Sequence, residues 1–195
     1  MAESSFIKSV KDAAKGRDLS VNWYRTKIKE FGQPSAMNLI RDGKRNTRPF
    51  RGRLNMFFYD AKNKKTLPYY DTFPLVLPLE KYTDGFLGLN LHYLPIALRI
   101  RLLDRLTTYS TDDKFDEDTT LSVDYAKLKN IKLIKPTIHK YLYGYTKSDF
   151  RRIDADEFTI AALLPVQRFK KATAKAVWQD SREMIKWQRQ IIILL

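Results

Sequence analysis

The fold is decided by the aromatic middle of the chain, residues 54–93, which read LNMFFYDAKNKKTLPYYDTFPLVLPLEKYTDGFLGLNLHY. Three apolar, aromatic-rich runs in this stretch are typical of β-strands: residues 54–59, a run from 66 onward, and residues 86–93. Polar residues separate the first two runs, and an Asp-Gly pair precedes the third, so both gaps predict turns. We therefore expect a small antiparallel sheet, either open or closed into a compact barrel.

Prolines interrupt the second of these runs at Pro68, Pro74 and Pro78. Because proline has no backbone N–H, it cannot donate to a strand ladder. We expect this run to lie at a sheet edge or in an extended arm.

Helical periodicity precedes and follows the aromatic middle. Residues 5–15 and 20–31 predict two N-terminal helices. The clearest pattern predicts a helix over 95–109 that begins at Pro95. Proline is favourable at the first helical position because an N–H there would have no partner within the helix. We expect its basic side chains to point outward: Arg99, Arg101 and Arg105.

The C-terminal half is predicted to be mostly helical. Asp154 or Asp156 can cap a helix over 157–164, and a long helix runs from about residue 171 to the end. Residues 138–145 fit a strand or a helix. Together these patterns predict an α+β fold, with a helical, basic N-terminal arm over 1–53 and one compact domain over 54–195.

The composition is that of a folded, basic protein. Lys and Arg number 36 against 22 Asp and Glu, for a net charge of +14. Aromatic residues make up 13% of the chain, which excludes disorder as a whole. No apolar run approaches the ~20 residues that span a bilayer, so we expect no membrane contact.

Positive charge is concentrated at the start of the chain. Residues 1–65 hold 16 basic and 6 acidic side chains. The densest group is Arg41, Lys44, Arg45, Arg48, Arg51 and Arg53, and a second is Lys62, Lys64 and Lys65. Loop formers surround the first group, so its charges are either solvated or placed on a polyanion. Double-stranded DNA, bound through its phosphates, is the polyanion we favour; an acidic partner protein is the alternative.

Signatures of catalysis are absent from the sequence. It has no Walker A, GxGxxG or GxSxG pattern and no Cys, and its two His cannot form a zinc site alone. The acidic run over 112–118 lacks the Gly and Glu of a calcium hand and is interpreted as a solvated loop. We therefore predict no enzyme activity, no cofactor and no metal site.

Two apolar features have more than one interpretation. The aromatic residues beside the lysines, such as Phe57 and Tyr59, form either a core, which we favour, or a surface that stacks bases. The apolar C-terminus packs on the core or on a partner in an oligomer: Ile191, Ile192, Ile193, Leu194 and Leu195.

Three segments of the sequence resemble the sequences of a family of virion proteins from T-even-type contractile-tailed bacteriophages. They are MFFYDAK with LPYYDTFPLV in residues 56–76, GFLGLNLHYLP in residues 85–95, and the looser stretch from LPVQRF to WQDSR in residues 164–182. The likeness covers roughly half of the chain and carries no catalytic motif.

The resemblance implies a DNA end protector, held at the genome terminus in the filled head. A neck, tail or baseplate component that binds other virion proteins is the alternative it leaves open. Either role implies a protein of the virion, made late in the bacterial cytoplasm. Absent cysteines fit that reducing compartment.

Overall fold

The computed structural model describes residues 6–15, 19–110, 119–123, 125–128 and 131–193, with side chains described as far as residue 186. Its helices are α1 (Phe6–Ala14), α2 (Val21–Phe31), α3 (Ala36–Arg41), α4 (Ile96–Thr107), α5 (Tyr125–Leu128), α6 (Phe158–Leu163) and α7 (Ala174–Ile193). Its strands are β1 (Arg45–Asn46), β2 (Leu54–Met56), β3 (Tyr70–Asp71), β4 (Leu75–Lys81), β5 (Gly85–Asn90), β6 (Ile138–Leu142), β7 (Phe150–Ile153) and β8 (Phe169–Lys170). Short 3-10 turns cover Leu91–Tyr93, Lys132–Thr137, Tyr143–Tyr145 and Ala155–Glu157. This composition confirms the α+β class.

Six strands form one antiparallel sheet in the order β1-β7-β2-β4-β5-β6, and β3 pairs with β8 in a separate small sheet. Within the described residues β1 and β6 are the two edges, so the large sheet is open and does not close into a barrel. The C-terminal half supplies β6 and β7 to this sheet. Leu54 lies opposite Ile153, a pairing between distant segments that local patterns do not reveal.

The proline-containing run from residue 66 onward does not lie at a sheet edge throughout. Pro78 belongs to β4, which lies between β2 and β5, and it pairs with Gly88 of β5. The edge prediction is therefore wrong for this strand. The register of β4 with β2 covers only Leu75 and Val76, and its register with β5 shifts between Pro78 and Glu80; proline is tolerated at such a bulge. The edge or extended-arm prediction fits β3 instead, which follows Pro68 and pairs only with β8.

Two of the predicted strand segments are shorter than expected, because each ends in a 3-10 turn. The backbone N–H of His92 donates to the Asn90 side chain at 3.0 Å, which ends β5 and starts the Leu91–Tyr93 turn. Residues 138–145, for which a strand and a helix were both predicted, form a strand up to Leu142 and then the Tyr143–Tyr145 turn.

The large sheet has an apolar layer on each face, since neighbouring strand residues alternate in direction. One face carries residues such as Met56 and Leu77, which pack with α1, α3, α4 and α6 in the main core. The other face carries Val76, Phe86 and Tyr141, which join the second core of the molecule.

The N-terminal helices pack on the C-terminal half. Helices α1 and α2 both contact α6, and β1 pairs with β7. Asp154, one of the two predicted caps, and Glu157 form a capping box on the 3-10 turn Ala155–Glu157, which leads into α6; α6 itself has no side-chain cap. A boundary at residue 53 between an arm and a compact domain stays a prediction.

Arg99 lies inside the protein, so its predicted outward orientation is wrong. Its side chain donates to the carbonyls of Leu94 (2.8 Å), Ala162 (3.3 Å) and Leu164 (3.3 Å), and to Gln167 Oε1 at 3.0 Å. A buried cation is stable where it meets hydrogen-bond acceptors, and carbonyls at the end of α6 carry negative partial charge.

Helix α7 is anchored at its first half. Trp178 Nε1 donates to the carbonyl of His92 at 2.9 Å, and Ser181 Oγ donates to that of Tyr93 at 2.7 Å. The predicted interface at 191–195 and the acidic run at 112–118 lie outside the described residues, apart from the α7 backbone to Ile193. In the described part of the chain, no helix is both long enough and apolar enough to cross a bilayer.

Candidate nucleic-acid interface

The first basic group lies where α3 leads into the edge strand β1 and then into β2. Five of its six members are exposed: Arg41, Lys44, Arg45, Arg48 and Arg51. Lys44 Nζ lies 3.1 Å from Asp154 Oδ2. The short strand pairing of β1 with β7 holds this segment, which we call the basic loop (residues 41–53), against the sheet.

Arg53 differs from the rest of the basic loop. Only 4% of its side chain is exposed, and NH1 donates to Asp154 Oδ1 at 3.1 Å. Arg152 Nε lies 2.7 Å from the same oxygen. Asp154 thus pairs with three cations, two from the basic loop and one from β7, and Arg53 anchors the end of the basic loop instead of facing solvent.

Two arginines at this surface lie against aromatic rings. The Arg48 guanidinium stands 3.9 Å from the ring centre of Tyr143, and that of Arg152 stands 5.1 Å from the ring centre of Phe50. Both distances are within the range of cation–π attraction. Arg48 is therefore held against the Tyr143–Tyr145 turn.

The second basic group borders the same turn. Its three lysines are exposed in the lysine turn (residues 60–65), and Lys64 donates to Asp60 at 2.7 Å. The hydrogen bond from Lys64, which outweighs burial, lowers the pKa of Asp60. Backbone N–H of Asp60 donates to the Tyr145 carbonyl at 3.0 Å. Arg48 of the first group and Asp60 of the lysine turn thus both contact the Tyr143–Tyr145 turn.

Two further lysines at this surface were missed from the sequence. The backbone N–H of Lys147 donates to the Phe58 carbonyl at 2.7 Å, which places it beside the lysine turn. Lys171 donates from Nζ to the carbonyls of Lys65 and Leu67, both at 2.9 Å. Each is remote in sequence from the residues it meets, so no local pattern could have indicated it.

The aromatic residues between the lysines are mostly core. Phe57 is fully buried and Tyr59 is 8% exposed, both in the second core, which confirms the favoured interpretation. Phe58 packs on Phe73 with ring centres 4.9 Å apart.

Beneath the second core lies a buried polar network around Asp71. The carboxylate accepts from the backbone N–H of Phe73 (3.0 Å) and Arg168 (3.1 Å) and from Asn90 Nδ2 (3.2 Å), and His92 Nδ1 lies 2.8 Å away. Burial raises the pKa of Asp71, but the interaction with His92 and these hydrogen bonds outweigh it, so the pKa of Asp71 is lowered. A carboxylate satisfied on all sides is an organising group of the fold.

Both histidines are hydrogen-bonded within the fold. His92 meets Asp71, and His139 Nε2 lies 3.2 Å from the Pro136 carbonyl. Burial lowers the pKa of His139 to about 4. Among the described residues, no cluster of His, Asp and Glu has the arrangement of a metal site.

Fold and surface together describe an α+β protein with exposed cations gathered around one turn at the end of β6. The family model described as "Phage T4 terminal DNA protecting protein" matches residues 3–181. The chain therefore belongs to this family of phage proteins that protect DNA termini, which confirms the resemblance drawn from the sequence. Neither the curated proteins nor the solved structures contain a match.

Proposed function

We propose that this protein binds the ends of packaged phage DNA through phosphate contacts and stays bound to them in the virion. The main support for this proposal is the match over residues 3–181 to a family described as protecting terminal DNA. Contacts of this kind position a protein on DNA without reading its sequence.

The exposed cations around the Tyr143–Tyr145 turn support a phosphate-binding surface. Arg45, Arg48 and Arg51 of the basic loop are exposed, and so are Lys62 and Lys65 of the lysine turn. Side chains that remain in solvent are available to displace the counterions of DNA, which is the source of affinity for phosphates. Arg53 is left out of the proposed surface because its charge is buried against Asp154.

Protection of a DNA end requires occupancy, not bond breaking. Carboxylates near the basic surface, such as Asp154 and Asp60, are paired with cations, and Asp71 is buried. We infer a non-enzymatic role, with DNA as the principal partner and with neck, tail or baseplate contacts as the alternative.

A salt-series titration tests this proposal. Linear duplex and a closed circle of the same sequence are titrated with the protein, and with a variant in which Arg45, Arg48 and Arg51 are Ser. We expect tighter binding to the linear form and a salt slope about 2 to 3 shallower in the variant, since each phosphate contact contributes about 0.9.

The matched control replaces three exposed cations elsewhere, Arg25, Lys29 and Arg101, and removes the same net charge. Its slope should remain close to that of the unmodified protein. Equal binding to linear and circular DNA would contradict end protection. Equal loss in both variants would remove the basic loop from the DNA surface.

A further inference from the structure

We propose that the cleft beside the lysine turn binds an unpaired nucleotide at the DNA end, an inference that rests on the proposed function. The cleft has a volume of about 660 Å³ and lies between residues 59–71, strand β6 and helix α7. Sites for small ligands fall in this range of volume.

One wall of the cleft is made of partly exposed rings. Tyr69, Tyr70 and His139 line it. The ring of Tyr93 packs against two of them: its centre lies 4.0 Å from the ring centre of His139 and 6.0 Å from that of Tyr69. Rings fixed by other rings offer a rigid face for stacking a base, and stacking tolerates any base because each has a π-face.

Cations stand around this wall. Lys62 and Lys135 line the cleft, are exposed, and have no acidic partner among the described residues. Lys140 also lines it and is paired with Asp84 at 3.1 Å. Lys62 and Lys135 can bind the phosphate of a nucleotide, and the rings beside them can stack on its base.

The position of the cleft favours a nucleotide from the bound DNA end. Lys62 belongs both to the cleft and to the lysine turn of the proposed phosphate surface. The opposite wall includes Ser181 and Met184 of α7. A paired base must lose its stacking and pairing before it can enter such a recess, so an unpaired base at the DNA end enters at the lowest cost.

The first test is the ratio of Kd values for a blunt duplex and for the same duplex with a short single-stranded overhang. The unmodified protein should prefer the overhang by roughly tenfold, the scale expected from stacking one base. The surface double variant Lys62→Ala/Lys135→Ala removes the cations that hold the phosphate of the unpaired nucleotide but leaves the rings, so it should reduce this preference without abolishing it. Lys175→Ala, an exposed lysine of α7 outside the cleft, should retain it.

The second test locates the base directly. A 5-iododeoxyuridine at the unpaired terminal position is photo-crosslinked to the protein, and the attached peptide is identified by mass spectrometry. Crosslinks to Tyr69, Tyr70 or His139 support the proposal. Equal affinity for blunt and overhanging duplex, or crosslinks only outside the cleft, would overturn it while leaving end binding intact. Failure to bind either duplex would overturn both.

Discussion

Replacing Arg99 by Met tests how the helical layer is held together. The side chain is fully buried and bridges the start of α4 to the end of α6 through four hydrogen bonds. Burial lowers the pKa of Arg99 to about 9, so the guanidinium is still charged at pH 7. Met preserves most of the aliphatic stem and removes the donors.

The expected loss follows from the acceptors left behind. Three main-chain carbonyls, those of Leu94, Ala162 and Leu164, lose their donor in a site closed to water. Each orphaned buried acceptor costs about 1 kcal/mol or more, so the variant should lose about 3 kcal/mol of unfolding free energy. For a chain of this size that is a fall in Tm of about 6–12 °C.

Urea unfolding followed by tryptophan fluorescence measures this loss. Trp178 is a local reporter, since its ring centre lies 5.6 Å from the Arg99 guanidinium. Arg101→Met, on the exposed side of the same helix, is the control and should change stability by less than about 0.5 kcal/mol. A loss below about 1 kcal/mol in Arg99→Met would refute the assigned role of these hydrogen bonds.

Two further predictions concern pH and packing. Because burial lowers the pKa of His139 to about 4 in the folded state, the unfolded chain binds more protons between pH 4 and 6.5, so stability should fall as pH decreases through this window. His139→Gln should flatten that part of a stability–pH curve measured in urea; a curve parallel to the unmodified protein would show that other groups dominate. Gly85→Ala should lower the Tm strongly, because its Cβ would overlap the carbonyl oxygen of Tyr141 across the β5–β6 pairing. Gly144→Ala, where a Cβ meets nothing within 4 Å, is the matched control, and equal Tm values for the two variants would contradict the packing at Gly85.

Much of the local structure could be predicted from the sequence. Helices α2, α4 and α6, the strands of residues 54–90 and the cap at Asp154 follow from short-range signals, namely periodicity, turn residues and capping side chains. These signals act within a few residues, so they survive without knowledge of the fold. The phage family was also predicted, from three segments of which all but the last residue, Arg182, lie within the matched residues 3–181.

The candidate site was predicted only in part. Exposed cations at Arg45 and Arg48 could be proposed from the charge pattern, but the burial of Arg53 could not, because its partner Asp154 is remote in sequence. Lys147 and Lys171 reach the surface through contacts with distant carbonyls. A charge pattern gives the number of cations and not their partners.

By itself, the sequence determined the α+β class, the concentration of positive charge in the first third of the chain and the local elements that carry it. Tertiary structure alone decided that the sheet is open, that Pro78 lies in a central strand and that Arg99 points inward. It also decided that the basic loop and the lysine turn meet at Tyr143–Tyr145. The physical reason is that side-chain periodicity is a property of neighbouring residues. Strand order and charge pairing depend on segments that meet only when the chain folds.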